Sequence, residues 1–264
     1  MAQWQPVEIG SRLYTTEAEL YDIAFSWDVS AEVDWLLERL GSDCSPVLEP
    51  ACGSGRMLAA LAERGVEAVG FDSSPEMVQL AQQRLNARKL PGEALVADMG
   101  GFALEQVFGG AICPVDSLAY LTEPADVVTH LSCVARHLRP GAGYLVQLEL
   151  RDEADPWRGV RPSVWEAERG NTRLKIAWRV EWIDIEAGIE VQHARFEVVG
   201  GPERGRVFEE RHTMAAWTPK RWAATSAESG FAYTAVYDGD GTGRPRRPLG
   251  DAGRLLWHEL RAPG

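Results

Sequence analysis

The segment that most constrains this chain is a short apolar run that contains an acid and is followed at once by small residues. The run covers 47–50, and Ala51, Gly53 and Gly55 alternate after it. A strand that ends in a glycine-rich turn and leads into a helix lets a ligand approach the backbone closely. The segment therefore predicts a strand–turn–helix unit with a ligand bound beside the turn.

A second acid, Asp72, closes the next apolar run at 68–71, about 20 residues beyond the glycine turn. A carboxylate at the end of a second strand can accept hydrogen bonds from both hydroxyls of a ribose. Asp72 is therefore a candidate for binding a nucleoside.

Strands and helices alternate up to residue 150. Because such alternation forms a parallel sheet with right-handed crossovers, we expect an α/β fold with a Rossmann-like, seven-stranded, mostly parallel sheet and helices on both faces. The predicted strands are 47–50, 67–71, 94–97, 110–113, 144–150, 231–237 and 254–260. The predicted helices include 55–64, 75–86 and 123–138, and capping signals at Thr16, Ser30 and Thr218 indicate three more.

The hydrophobic pattern changes period after residue 150. Residues 172–182 alternate between apolar and polar side chains, and 189–199 and 207–217 continue the pattern after turns. Alternation with a period of two indicates strands that bury one face. We therefore expect an inserted antiparallel layer of three strands. This divides the chain into a core at 1–150, the insertion at 151–217 and the remainder of the core at 218–264.

Composition excludes several functional classes. The net charge of −12 opposes binding to a phosphate backbone, so no nucleic acid is expected as a partner. No apolar run reaches 18 residues and the N-terminus lacks a basic-then-apolar signal pattern, which predicts a cytoplasmic protein without a membrane partner. The four cysteines form no Cys-x-x-Cys pair and are expected to be small buried thiols.

The glycine turn does not match a dinucleotide fingerprint, because the third glycine would fall at Leu58. The spacing Glu49-x-Ala51-x-Gly53-x-Gly55, followed by Asp72 and Asp98, resembles the class I S-adenosylmethionine-dependent methyltransferases over roughly residues 21–150. Members of that family usually carry glycine at the position of Ala51, and alanine fits there only if its φ stays negative.

The inserted layer resembles that of small-molecule N-methyltransferases acting on amino sugars and glycine-like amines. The resemblance implies that S-adenosylmethionine is the cofactor and that the layer covers the acceptor site, while a dimer interface remains an alternative role. It also implies one role for each of several residues. At the methionine end, Glu49 would lie near the amino group, with Cys113 and Ser117 close by, and the backbone of Ala51, Gly53 and Gly55 would lie beside the cofactor. Asp72 would bind the ribose. At the adenine, Ser73 and Met77 would lie beside the ring, Asp98 would bind the amino group and Met99 would stack on the ring face, while Tyr21 would lie on a segment that closes over the cofactor.

Methyl transfer from a sulfonium is an in-line displacement, so the protein mainly aligns the reacting atoms. A base is needed only if the acceptor arrives protonated. Tyr120, which follows the fourth strand, is the leading catalytic candidate, because the resemblance implies a Tyr or His near the acceptor nitrogen at this position. Its phenol could orient a lone pair or pass a proton to water. His212 in the inserted layer is the second candidate. Asp116 has no companion ligands at matching loop ends, so no metal is predicted.

The acceptor and its reacting atom stay open at this point. We expect a small-molecule amine, with oxygen or carbon acceptors and a non-catalytic binding protein (a regulator or scaffold) as alternatives, and either a monomer or a homodimer. A DNA-adenine methyltransferase would need an Asn/Asp-Pro-Pro-Tyr/Phe motif after the fourth strand to hold a flipped base. This chain has Cys113-Pro114-Val115-Asp116 there, which argues against that class.

Overall fold

A computed structural model describes residues 12–239 and 244–264. The sequence predicts a polar loop rich in glycine and proline at 238–251, and part of that loop lies outside the described residues. The strands of the central sheet are β1 (Val47–Pro50), β2 (Ala68–Asp72), β3 (Glu93–Val96), β4 (Phe108–Cys113), β5 (Leu138–Leu150), β10 (Ala232–Asp238), β11 (Arg246–Arg247) and β12 (Arg254–Arg261). They have the order β11-β10-β12-β5-β4-β1-β2-β3, with β1 to β5 parallel and β10 to β12 adding antiparallel pairs.

The predicted α/β class is confirmed, and the sheet has eight strands rather than seven. The extra strand is β11, which is only two residues long and therefore carries no periodic signal. Helices α2, α3 and α4 cover one face through one apolar cluster, while α5 and α6 cover the other face through a second. The helices are α1 (Ala18–Ala24), α2 (Ser30–Leu40), α3 (Arg56–Ala62), α4 (Pro75–Arg88), α5 (Pro124–His137) and α6 (Pro219–Glu228). Among the described residues, none of these helices is long and apolar enough to cross a membrane.

The inserted layer is a separate antiparallel sheet of four strands, not three. It comprises β6 (Ser163–Arg169), β7 (Thr172–Asp184), β8 (Ile189–Gly200) and β9 (Val207–Ala215). The missed strand is β6, an edge strand in which only Trp165 and Ala167 pack against the apolar cluster below. That cluster joins the layer to the N-terminal segment, because Leu13, Leu20 and Ile23 pack against its inner face.

Two of the three predicted helix caps differ from the sequence analysis. No side chain caps α1, which begins at Ala18 rather than after Thr16. Helix α2 begins at Ser30, and Asp28 accepts the Ser30 N–H at 2.9 Å in place of the expected serine cap. Only the third cap is confirmed, since the Thr218 hydroxyl accepts the N–H of Arg221 at 3.3 Å.

Gly55 is required by packing as well as by backbone conformation. It immediately precedes α3 with a φ of +74°, and a Cβ added there would lie 2.7 Å from the Cβ of Ala81 on α4. Gly65, beyond the end of α3, has a φ of +75°, but a Cβ added there would meet open space. The two glycines therefore share one conformation and differ in their neighbours.

We expect Gly55→Ala to lower the free energy of unfolding by about 2–4 kcal/mol and Gly65→Ala by about 1 kcal/mol. Both variants place a side chain in the left-handed region, but only Gly55→Ala also forces α3 and α4 apart. Urea denaturation of both variants measures the difference. Equal losses in the two proteins would show that the helix contact adds nothing to the conformational cost.

Candidate active site

The glycine turn is held by the acid at the end of β2. The N–H groups of Gly53 and Ser74 donate to the two carboxylate oxygens of Asp72, each at 2.9 Å. The Cys52 N–H donates to the Phe71 carbonyl at 2.9 Å. Burial raises the pKa of Asp72, while the backbone donors lower it. The turn and the second acid thus lie together at the carboxyl edge of the parallel strands, where α/β sheets bind ligands.

Ala51 does not have the negative φ that the sequence analysis required of it. Its φ is +54°, in the left-handed region. An L-residue with a Cβ loses roughly 1–2 kcal/mol there. The turn therefore holds local strain at the point where the family usually has glycine.

A narrow cleft lies beside this turn. It is lined by Tyr21, Phe25, Ala51, Arg56, Val115 and Ser117, among others. Two of its polar atoms, Glu49 Oε2 and Arg56 Nη1, are buried without a hydrogen-bond partner. Burial raises the pKa of Glu49 to about 8, so its carboxyl is largely protonated at neutral pH. The cleft therefore presents an unsatisfied carboxyl and an unsatisfied guanidinium to any ligand that enters.

The opposite wall of the cleft is a strained loop after β4. Val115 and Asp116 both have positive φ values, +58° and +56°. Gln147 accepts the Val115 N–H at 2.8 Å, and Asp116 accepts the Glu149 N–H at 3.0 Å. A positive φ costs roughly 1–3 kcal/mol at each of these residues, and the two hydrogen bonds to β5 stabilise the loop in this conformation.

The two catalytic candidates meet in the structure. The Tyr120 hydroxyl lies 3.1 Å from His212 Nδ1 and 2.5 Å from the Tyr14 hydroxyl. The Trp178 ring stacks on the imidazole of His212 with centroids 4.9 Å apart and planes 16° apart. Tyr14 packs edge-on against Tyr21 of the cleft at 5.4 Å. We call Tyr14, Tyr120 and His212 the tyrosine–histidine array.

Burial determines the protonation states in this array. It raises the pKa of Tyr14 and Tyr120 well above the ordinary value of a phenol, so both keep their protons at neutral pH. It lowers the pKa of His212 to about 4, which leaves a neutral imidazole. The array is therefore a chain of uncharged donors and acceptors, suited to orienting a reactant.

A buried ion network connects the array to the central sheet. Arg151, with no exposed surface, donates through Nε and Nη2 to both carboxylate oxygens of Glu190 at 2.6 and 2.8 Å, and through Nη1 to Glu149 at 2.5 Å. Gln192 donates to Glu190 at 2.6 Å and accepts from Trp178 Nε1. The network thus fixes the tryptophan that stacks on the array.

Some predicted cofactor residues do not face the cleft. Met77 and Cys113 have no exposed surface, because Met77 lies on the inner face of α4 and Cys113 ends the buried strand β4. Their contacts with the cofactor stay predictions. Ser73 and Asp98 are exposed and Met99 is half-buried, all just beyond β2 and β3 at the same edge of the sheet.

Arg56 and Arg151, at or beside the cleft, were not predicted as site residues. Arg56 had a usable signal, since it directly follows the glycine turn. Arg151 reaches the site through contacts between segments far apart in sequence. Within residues 12–239 and 244–264 no group of acids, histidines or cysteines gathers as a metal site would require.

The sequence is similar to those of known methyltransferases. Residues 47–141 match the family model described as a methyltransferase domain. A putative methyltransferase of Bacillus subtilis, YqeM, is 36% identical over 129 residues, which cover 48% of this chain and about half (52%) of that relative's length. The dTDP-3-amino-3,6-dideoxy-alpha-D-glucopyranose N,N-dimethyltransferase of Streptomyces fradiae is 26% identical over 81% of this chain and 83% of its own.

The fold has a solved counterpart over nearly its whole length. The S-adenosylmethionine-bound structure of CalS10, an amino pentose methyltransferase from Micromonospora echinaspora, superimposes with a TM-score of 0.71 and 18% identity, covering 98% of this chain and 100% of that one. Residues 47–141 therefore form a methyltransferase domain, as the resemblance predicted, and the fold is that of S-adenosylmethionine-dependent methyltransferases such as CalS10.

The cleft fits the cofactor of this class. The amino acid end of S-adenosylmethionine carries an ammonium and a carboxylate. The cleft is lined by Glu49, which has an unpartnered carboxyl oxygen, and Arg56, which has an unpartnered guanidinium nitrogen. The sulfonium carries a positive charge, which aromatic faces such as those of Tyr21 and Phe25 stabilise.

We expect Ala51→Gly to raise the free energy of unfolding by about 1 kcal/mol, because glycine adopts a positive φ without steric cost. Urea denaturation tests this, with Ala60→Gly inside α3 as the control. That control should be destabilised by about 1 kcal/mol or more, since glycine disfavours a helix interior. A loss of stability in Ala51→Gly would contradict the strain at this turn.

We expect the stability contributed by Glu49 to fall as the pH rises. Its pKa is about 8 in the folded chain against an ordinary value of 4.5, so the folded state binds the proton more tightly. The free energy of unfolding should therefore decrease from pH 4.5 to pH 8 in the native protein relative to Glu49→Gln, which does not titrate. Denaturant titrations of both proteins across that range measure the difference, and a difference independent of pH would contradict the shifted pKa.

Proposed function

We propose that this class I S-adenosylmethionine-dependent methyltransferase transfers a methyl group to the nitrogen of a small-molecule amine, with an amino sugar as the acceptor class. The observation that carries the proposal is the tyrosine–histidine array beside the cleft. Its three groups are uncharged at neutral pH and suit a nucleophile that already has a free lone pair. The Streptomyces fradiae relative and CalS10, whose names specify amino sugar substrates, support the same acceptor class.

When bound, S-adenosylmethionine would supply a methyl group activated on its sulfonium: the S–CH3 bond would break as the amine nitrogen forms a new C–N bond, with S-adenosylhomocysteine as the leaving group. The protein's part is to align an amine that arrives with a free lone pair, and the proton that methylation releases from the nitrogen goes to water. Because the Tyr120 phenol keeps its own proton, it orients the amine by hydrogen bonding and does not act as a phenolate base. His212, with a pKa of about 4, stays neutral beside the Tyr120 hydroxyl and is too weak a base to hold the proton.

Oxygen and carbon acceptors fit this array less well. A hydroxyl or a C–H acceptor must lose its proton before or during attack, and so needs a base that holds the proton at neutral pH. Neither phenol is ionised there, and burial makes the imidazole a weak base. A protein that only binds the cofactor would not need the array, because the array's proposed role is to orient the acceptor.

A methyl-transfer assay with methyl-labelled S-adenosylmethionine tests the proposal directly. The panel should pair each amino sugar, free and nucleotide-linked, with the matching hydroxyl sugar, and should include a phenol. Labelled product from amino sugars alone supports the proposal, and mass spectrometry places the methyl group on nitrogen. Transfer to the hydroxyl sugars or the phenol, or to none of the panel, would contradict it.

We expect Tyr120→Phe to lower kcat about tenfold or more, with affinity for S-adenosylhomocysteine within about twofold of the native value. The hydroxyl contributes to alignment in the transition state and not to cofactor binding. The matched control is Tyr233→Phe, which removes a similar tyrosine–histidine hydrogen bond, Tyr233 to His258 at 2.7 Å, on β10 and β12. The control should keep its kcat; equal losses in both variants would assign Tyr120 a structural role only.

A further inference from the structure

We propose that Arg56 binds the carboxylate of the methionine end of the cofactor, so that Arg56 and Glu49 together recognise a zwitterionic amino acid group. The inference rests on the proposed function, because it takes S-adenosylmethionine as the ligand of the cleft. It assigns a role to a side chain that the sequence analysis did not place in the site.

The first observation is the pair of unsatisfied atoms. Glu49 is 2% exposed, yet its Oε2 has no hydrogen-bond partner, and Arg56 Nη1 is also buried without a partner. A buried guanidinium nitrogen without an acceptor is costly, and charged groups cost more than neutral ones. Both atoms belong to residues that line the same cleft. A ligand that carries an ammonium and a carboxylate would satisfy both.

The charge surrounding Arg56 points the same way. Burial lowers the pKa of the Arg56 guanidinium, and Tyr21, Glu32 and Glu49 raise it while Arg84 lowers it. Because Glu49 is largely protonated at neutral pH, it is a weak counter-ion for Arg56. A ligand carboxylate would supply the negative charge that the cleft itself lacks.

The position of the guanidinium is fixed by an aromatic face. Its central carbon lies 4.1 Å from the ring centroid of Trp27, within the range of a cation–π contact. Trp27 in turn packs against Phe25 at 5.3 Å, beside the cleft. The stacking holds the planar fork of Arg56 in one orientation, and a planar fork matches the geometry of a carboxylate.

Calorimetry with three ligands separates the parts of the cofactor. S-adenosylhomocysteine has the whole amino acid end, its decarboxylated analogue keeps only the amine, and 5′-methylthioadenosine has neither group. We expect Arg56→Gln to weaken S-adenosylhomocysteine about 10- to 100-fold, the effect of one charged hydrogen-bonding partner, and to leave the other two ligands within about twofold. Arg88→Gln, which removes an exposed guanidinium paired with Glu63 at 2.5 Å, is the control and should change no affinity.

A second variant keeps Arg56 and alters only its support. Trp27 is 44% exposed, so Trp27→Leu should fold, and it should weaken S-adenosylhomocysteine about twofold to fivefold with no effect on 5′-methylthioadenosine. Equal weakening of all three ligands in Arg56→Gln, or no weakening at all, would overturn the assignment while leaving the proposed function in place. Failure of the native chain to bind any of the three ligands would overturn the proposed function as well.

Discussion

The arrangement of the two sheets depends on one buried guanidinium. Arg151 follows β5 of the central sheet and forms a bidentate pair with Glu190 on β8 of the inserted layer. Removing one partner of such a pair leaves a buried charge without a partner and costs about 3–5 kcal/mol. The inserted layer therefore has little freedom to shift against the core. From Glu190 the contacts run through Gln192 and Trp178 to the imidazole of the array. The geometry on the acceptor side of the cleft is therefore set by an ion pair outside the cleft.

The sequence predicted the parts of the fold that follow from local patterns. Apolar runs and the glycine turn were sufficient for the parallel strands, the turn and the position of Asp72. Edge strand β6 was missed because few of its side chains face a core, and β11 because two residues carry no period. The array brings together residues 106 and 92 positions apart, and no single-sequence pattern reports contacts at that separation. The positive φ of Ala51 could not be predicted from the sequence either, because alanine itself disfavours it and the surrounding hydrogen bonds impose it.

Strain and unsatisfied charge concentrate in the same small region. Ala51 and Val115, which have positive φ values, line the cleft, and Asp116 follows Val115 in the same left-handed conformation. Glu49 and Arg56, which carry the unpartnered atoms, line the same cleft. Such features persist only where the surrounding structure holds them, as Asp72, Gln147 and Glu149 do here. Their clustering is expected of a binding site, because a bound ligand stabilises the folded protein and offsets part of the cost of these features.

The four cysteines have a further consequence. All are free and buried in the described part of the chain, and burial raises the pKa of Cys52 and Cys113, the latter to about 12. The native chain is therefore nearly inert to alkylating and oxidising agents, because its buried thiols are not reachable. Cys52 lies within the glycine turn, whereas Cys44 and Cys133 lie in other parts of the core. Each thiol becomes reactive only when its own region opens, so chemical modification of this protein records local unfolding, and the thiol in the turn records it at the cleft.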